Sequence, residues 1–132
     1  MTIYNKLVRD RIPEIIRANG SIPYTHIARG SELEDALWQK IDEEFEELKN
    51  ADATKAPEEF ADVLEVLFAI RDLYSAQGQE FMQLRDIAET ADFVYVVADQ
   101  YGISRSELDS VRRQKAEERG AFSSGIILEE TQ

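Results

Sequence analysis

Two pairs of acidic residues at helical spacing constrain this chain more than any other feature. Glu44 and Glu47 lie three residues apart in KIDEEFEEL, and Glu59 and Asp62 lie three apart in EEFADVLEVLFAI. Residues three apart share one face of an α-helix, so each pair presents both carboxylates on the same side. Only eleven residues separate Glu47 from Glu59, which favours two neighbouring antiparallel helices. Four carboxylates then converge at one end of a hairpin, where they repel one another unless cations bind among them.

Hard oxygen ligands of this kind suit Mg²⁺, with Mn²⁺ as a second possibility. A magnesium ion held by carboxylates usually serves a phosphate substrate. Two other interpretations remain open from the residues alone. The acids can form the solvated face of an acidic protein, or they can belong to a di-iron carboxylate bundle. The di-iron bundle requires E-x-x-H motifs, and the one histidine, His26, lies outside both predicted helices.

The periodicity of apolar residues predicts an all-α fold, an antiparallel helical bundle in a single domain over residues 1–132. Residues 21–28, SIPYTHIA, are β-prone and predict a short strand. The tail AFSSGIILEETQ is expected to pack as a strand or a docked arm. The predicted helices span about 12–19, 32–49, 57–76, 80–101 and 104–119.

Local signals mark the ends and faces of these helices. Ser31 with Glu34, and Ser104 with Glu107, match the capping-box pattern at two helix starts. Trp38, Phe93 and Tyr95 are expected in the core, although Trp38 can also stack on a base. The predicted core stripe of the second helix consists of Leu33, Leu37, Ile41, Phe45 and Leu48.

Charge and composition exclude several classes of protein. The 132 residues carry 27 acids against 15 bases, a formal net charge of -12, which argues against general binding to nucleic-acid backbones. The absence of cysteine rules out disulfides and thiolate zinc sites. No stretch approaches the roughly 20 apolar residues that span a bilayer, and the N-terminus lacks the apolar core of a signal peptide. We therefore expect a soluble, cytoplasmic protein that binds neither nucleic acid nor membranes.

Four stretches together resemble the MazG-like all-α nucleoside triphosphate pyrophosphohydrolases, and more narrowly the small members related to phosphoribosyl-ATP pyrophosphohydrolase. The stretches are YNKLVRDRIPEII, KIDEEFEEL, EEFADVLEVLFAI and RRQKAEERGAF. The resemblance implies a Mg²⁺-dependent enzyme that splits a nucleoside triphosphate into the monophosphate and pyrophosphate, in nucleotide-pool housecleaning. It also implies a homodimer or homotetramer. Phosphoribosyl-ATP as the substrate, and a non-catalytic oligomerisation or regulatory module on the same scaffold, remain alternatives.

The resemblance also assigns roles by position. It implies that Glu44, Glu47, Glu59 and Asp62 are the metal ligands. Glu43 completes the EExxE motif and is, with Glu44, a candidate catalytic residue. Glu43 is expected either to orient or deprotonate the attacking water or to face solvent. The implied phosphate-binding residues are Lys6, Arg9, Lys115 and Arg119.

Other interpretations of the basic residues and of the second acidic pair stay open. Lys115 and Arg119 can instead be exposed helix-terminal bases that interact with the macrodipole. A second E-x-A-D, Glu89 with Asp92, competes with Glu59 and Asp62 for the metal, although the short hairpin favours the first pair. Asp10 is expected to pair with a nearby base, Arg112 and Arg113 are weaker phosphate candidates, and His26 is expected to be structural or exposed. The final residues also lack the basic side chains that the resemblance leads us to expect there.

Overall fold

Helices make up most of the chain in this computed structural model, which describes residues 1–78 and 81–132. The described helices are α1 (Ile12–Ala18), α2 (Gly30–Lys49), α3 (Ala56–Ala76), α4 (Phe81–Gln100) and α5 (Arg105–Arg119). The strands are β1 (Thr2–Leu7), β2 (Pro23–Ile27) and β3 (Ile126–Thr131). All five predicted helices are confirmed to within two residues, except that the predicted start of α4 at residue 80 lies outside the described residues. None of the described helices is both long and apolar enough to cross a membrane.

Helices α2 and α3 pack as an antiparallel hairpin. At one end, the Tyr74 hydroxyl near the end of α3 donates a hydrogen bond to Glu34 and accepts one from the Trp38 indole, both at 2.9 Å, near the start of α2. At the other end, carboxylates from the last turns of α2 lie beside carboxylates from the first turns of α3. The predicted hairpin is therefore confirmed, and it brings the two acidic pairs to the same end.

Helix α3 is the central helix and packs against α2, α4 and α5. Val63, Leu64 and Val66 on this helix have no exposed surface. A helix that is apolar around most of its circumference is stable only when neighbours cover it on several sides. A polar side chain within this stretch, such as Asp62, is therefore forced into the protein interior.

A small sheet joins both ends of the chain. Strand β3 is the middle strand and pairs antiparallel with β1 on one side and β2 on the other. The predicted fold is therefore confirmed as mainly helical, and the structure adds a three-stranded sheet that an all-α bundle lacks. The predicted strand near 21–28 is confirmed as β2, and the tail forms β3. Strand β1 was not predicted because its partner lies at the other end of the chain, where no local pattern signals the pairing.

The segment that follows β1 is bound to the end of α5. The Arg11 backbone amide donates to the Arg119 carbonyl at 2.9 Å. The Asp10 carboxylate accepts hydrogen bonds from the backbone amides of Ser123 and Ser124, at 3.1 and 3.0 Å. The predicted basic partner of Asp10 is thus wrong, because backbone amides fill that role. These contacts bring the KLVRD and KAEERG motifs side by side although they stand at opposite ends of the sequence.

One capping prediction is right and one is wrong. The Ser104 hydroxyl accepts a hydrogen bond from the Glu107 backbone amide at 3.1 Å, as the capping-box pattern predicts. The Ser31 pattern does not act as a cap, because α2 already begins at Gly30 and no side chain caps it.

Three aromatic residues predicted for the core lie at the surface. Phe45 is 38% exposed, Trp38 is 41% exposed and Phe93 is 66% exposed. Trp38 and Phe45 lie seven residues apart on α2, and each keeps more than a third of its surface exposed, although the Trp38 indole reaches Tyr74 on α3. Periodicity assigned them to the core because a wide apolar stripe does not reveal which of its edges a neighbour leaves open.

Candidate metal centre

Four carboxylates converge where α2 ends and α3 begins. Glu44, Glu47, Glu59 and Asp62 each place one oxygen within 4.8 Å of the others. This is the set that the two E-x-x-E/D spacings predicted, so the predicted convergence is confirmed. The geometry follows from the hairpin, because each spacing puts two acids on one helix face and the antiparallel packing turns the two faces together.

The cluster is partly buried, and two of its oxygens are unpartnered. In the described part of the chain, the buried charged residues are Arg9, Glu44 and Asp62, at 6–7% exposure, and all three lie here. The Oε2 atoms of Glu44 and Glu59 are buried without a hydrogen-bond partner among the described residues. A buried carboxylate oxygen without a donor is costly, and a bound cation is one way to satisfy it.

Burial and mutual repulsion perturb two of these carboxyl groups. Burial, followed by the charge of Asp62, raises the pKa of Glu44 to about 7, against the opposing effect of Lys40. Burial raises the pKa of Glu59 to about 7 as well, reinforced by the charge of Asp62 and by a hydrogen bond with Glu47.

Two basic side chains hold Asp62 from the opposite side. Arg9 Nη2 donates to Asp62 Oδ1 at 3.0 Å, and Lys115 Nζ donates to Asp62 Oδ2 at 2.7 Å. Lys115 also reaches Glu58 at 2.9 Å, and that ion pair lowers the pKa of Glu58. The predicted phosphate ligands Arg9 and Lys115 are therefore at the site, but in this structure their direct partner is a carboxylate of the cluster.

Lys40 is a site residue that the sequence reasoning missed. Its ammonium lies 3.6 Å from Glu44 and 3.4 Å from Glu43, and its side chain is 13% exposed. The signal was present in the sequence, because a lysine four residues before a glutamate faces it on a helix. Glu58 was also missed, but for a different reason: only the tertiary structure brings Lys115 to it.

A cleft of about 340 Å³ opens beside the cluster. Basic side chains from three distant parts of the sequence line it together with Glu44, Glu47 and Asp62, and all four predicted phosphate-binding residues lie in this one cavity. Arg119 is exposed there and makes no ion pair among the described residues. The basic residues lining this cleft are Lys6, Arg9, Lys40, Lys115 and Arg119.

Other predicted candidates lie elsewhere. Glu43 has a side chain 43% exposed, pairs with Lys40 at 3.4 Å, and is not one of the four converging acids. Glu89 and Asp92 are exposed on α4 and pair with arginines of their own, at 3.0 and 3.2 Å. The structure thus places the first acidic pair, and not the second, beside Glu44 and Glu47.

Arg112, Arg113 and His26 have contacts elsewhere in the structure. Arg112 pairs with Glu65 at 3.2 Å, and Arg113 reaches only Ser110 in the described part of the chain. His26 is exposed and bridges Glu32 and Glu129 at 2.9 and 3.1 Å. None of these side chains lines the cleft beside the acids.

The donor set fits a hard divalent cation. All four donors are carboxylate oxygens, no nitrogen or sulfur ligand joins them among the described residues, and two of the oxygens are buried without a hydrogen-bond partner there. Mg²⁺ and Mn²⁺ prefer such oxygen ligands. The arrangement can therefore hold a divalent cation next to a cleft whose other wall carries positive charge.

Comparison with known proteins adds little to this geometry. No model of a known protein family matches the chain, and no solved structure matches it. A 51-residue stretch is 49% identical to an uncharacterized protein of Mycolicibacterium smegmatis, covering 39% of this chain. The match spans about half of that protein, 52% of its length, and its printed name assigns no activity.

Proposed function

We propose that this protein is a Mg²⁺-dependent nucleoside triphosphate pyrophosphohydrolase on a MazG-like helical scaffold. It converts a nucleoside triphosphate and water into the nucleoside monophosphate and pyrophosphate. The observation that carries the proposal is the juxtaposition of four converging carboxylates with a cleft lined by five basic side chains. A solvated acidic face explains exposed carboxylates, but it does not explain the burial of Glu44 and Asp62 beside so many cations.

The roles follow from position in the cleft. Glu44, Glu47, Glu59 and Asp62 would hold the metal, which when bound supplies positive charge to phosphoryl oxygens and acidifies a water. Lys6 and Arg119 bind phosphate oxygens, and their charge offsets the negative charge that develops on the departing pyrophosphate. Burial of Glu44 and Asp62, two of the four acids, strengthens the electrostatic interactions made there.

The test uses purified protein and a panel of nucleoside triphosphates that includes phosphoribosyl-ATP, with Mg²⁺ or Mn²⁺ present. We expect pyrophosphate release from at least one nucleotide. Glu47→Ala should abolish turnover and the rise in melting temperature that Mg²⁺ induces. Glu46→Ala is the matched control, because Glu46 is the neighbouring acid, is 67% exposed and pairs only with Lys49 among the described residues. Absence of pyrophosphate from every nucleotide, together with absence of metal binding, would contradict the proposal.

A second candidate function is a non-catalytic helical module on the same scaffold. It is favoured by one observation, that both oxygens of Asp62 are already paired with cations of the chain itself. Glu47→Ala separates the candidates, because the module predicts a neutral or stabilising effect through relief of repulsion. Asp62→Ala does not separate them, because its removal leaves Arg9 and Lys115 without their carboxylate partner and destabilises the protein under either proposal.

The proposed homodimer or homotetramer has one supporting feature. Phe93, Val96 and Tyr101, on or just after α4, are 56–71% exposed. Large exposed apolar side chains that lie close together are typical of association surfaces. Light scattering coupled to size-exclusion chromatography measures the oligomeric state directly, and a monomer at high concentration would contradict this part of the proposal.

A further inference from the structure

Asp62 differs from the other three acids of the cluster in its partners. Arg9 donates to one of its oxygens at 3.0 Å and Lys115 to the other at 2.7 Å. Glu44 and Glu59, in contrast, each keep a buried oxygen without a partner. Asp62 cannot offer an oxygen to a divalent cation at close range while both bases stay, because the new charge and the two bases would repel each other.

The two bases are not held equally firmly. Arg9 is 7% exposed, donates a second hydrogen bond to the Gly120 carbonyl at 3.0 Å, and lies over the Phe122 ring at 5.1 Å from its centre. It also belongs to the segment that is hydrogen-bonded to the end of α5. Arg9 therefore has several fixed contacts to lose, and it stays with Asp62.

Lys115 has fewer constraints. Its second contact is Glu58, whose side chain is 41% exposed. The Lys115 side chain is only 11% exposed, but it lines both the cleft beside the acids and a neighbouring open cleft on the α5 surface. A lysine ammonium on a flexible four-carbon stem can turn about its own bonds without movement of the helix.

We propose that Lys115 is an exchangeable internal counter-ion, which leaves Asp62 when a divalent cation enters the cluster and then binds a phosphate group of the substrate. This inference rests on the proposed function. One side chain thus balances the acids before the metal arrives and faces the substrate afterwards. Metal occupancy and phosphate binding are coupled through Lys115, and such coupling acts equally in both directions.

The first test measures Mn²⁺ binding without nucleotide, by isothermal titration calorimetry on metal-stripped protein. Lys115→Met removes the competing cation and keeps a stem of similar length, so Mn²⁺ should bind at least about tenfold more tightly. Arg119→Met is the matched control, because Arg119 lines the same cleft one turn along α5 but pairs with no acid in the described residues. Its removal should change Mn²⁺ affinity by less than about threefold, the effect of general charge alone. Lys115→Arg keeps the charge and should retain an affinity near that of the wild type.

The second test measures the binding of inorganic pyrophosphate in the presence of saturating Mn²⁺. Lys115→Met should bind pyrophosphate about tenfold more weakly than the wild type, in the direction opposite to its effect on the metal. A lysine with only a structural role would not strengthen one ligand and weaken the other. Thermal unfolding in EDTA shows whether the Lys115→Met variant is folded. If it is not, both measurements are repeated with the Lys115→Gln variant.

The outcomes separate this inference from the proposed function. Mn²⁺ binding that is equally tight in the wild type and in the Lys115→Met and Arg119→Met variants would overturn the counter-ion exchange while leaving the hydrolase intact. A loss of Mn²⁺ affinity in Lys115→Met would also overturn it. Failure of the wild type to bind Mn²⁺ at all would overturn both proposals together.

Discussion

Replacing Glu44 by glutamine should stabilise the metal-free protein at alkaline pH. Glu44 is 6% exposed, one of its oxygens is buried without a partner among the described residues, and burial raises its pKa to about 7 from an ordinary value of 4.5. Because the folded state keeps the proton that the unfolded state loses, stability falls as pH rises from about 4.5 to about 7 and is then constant. Linkage over this interval gives a loss of about 2.5 kcal/mol between pH 5 and pH 8 from this one group.

Glutamine cannot ionise, so the Glu44→Gln variant should escape that loss. We expect it to be more stable than the wild type by about 1–2 kcal/mol at pH 8, after allowance for the lost contact with Lys40. At pH 5 the two proteins should differ much less. The assay is urea unfolding in EDTA at both pH values, with the free energy of unfolding extrapolated to water.

Glu43→Gln provides the control for this measurement. Glu43 is the adjacent residue on α2, shares the contact with Lys40, and has a side chain 43% exposed. Its replacement should change stability by no more than about 0.5 kcal/mol at either pH. A Glu44→Gln variant that is less stable than the wild type at pH 8, or a difference that does not grow between pH 5 and pH 8, would refute the argument from burial.

Three further predictions follow from the same geometry. The apparent affinity for Mn²⁺ should fall as pH drops below 7, by up to about tenfold per pH unit for each proton displaced, because Glu44 and Glu59 are then protonated. Titration calorimetry from pH 6 to pH 8 measures this affinity, and an affinity that does not change with pH would contradict the prediction. Asp62→Asn should destabilise the metal-free protein by about 3–5 kcal/mol in urea, since Arg9 is left buried with an unpaired charge, and a neutral effect would show that the ion pair is unimportant. Gly120→Ala should lower stability by about 1–3 kcal/mol, because φ is +83° there and a Cβ would lie 2.8 Å from the Arg11 backbone nitrogen. An unchanged melting temperature would contradict the assigned backbone conformation.

Much of the helical structure could be predicted from the sequence because helix formation depends mainly on residues that are close together in the chain. Apolar periodicity, prolines at helix starts and the Ser104 cap all act within one or two turns, so the bounds of α1 to α5 were predicted closely. The convergence of the four acids was predictable for the same reason, because two helices joined by a short connector usually pack side by side in antiparallel orientation.

Only the tertiary structure decided the sheet, and with it the partners of the acids. Strand β1 pairs with β3 across the whole length of the chain, a non-local contact that no window of sequence contains. Arg9 follows β1, and Lys115 lies on α5, which packs against α3; the two bases reach different oxygens of Asp62. The sequence alone indicated no counter-charge for this acid. The spacing of residues therefore determined which acids meet. Burial and long-range packing determined how the charge of these acids is balanced, because desolvation and ion pairing depend on all the groups around a carboxylate and not on its neighbours in sequence.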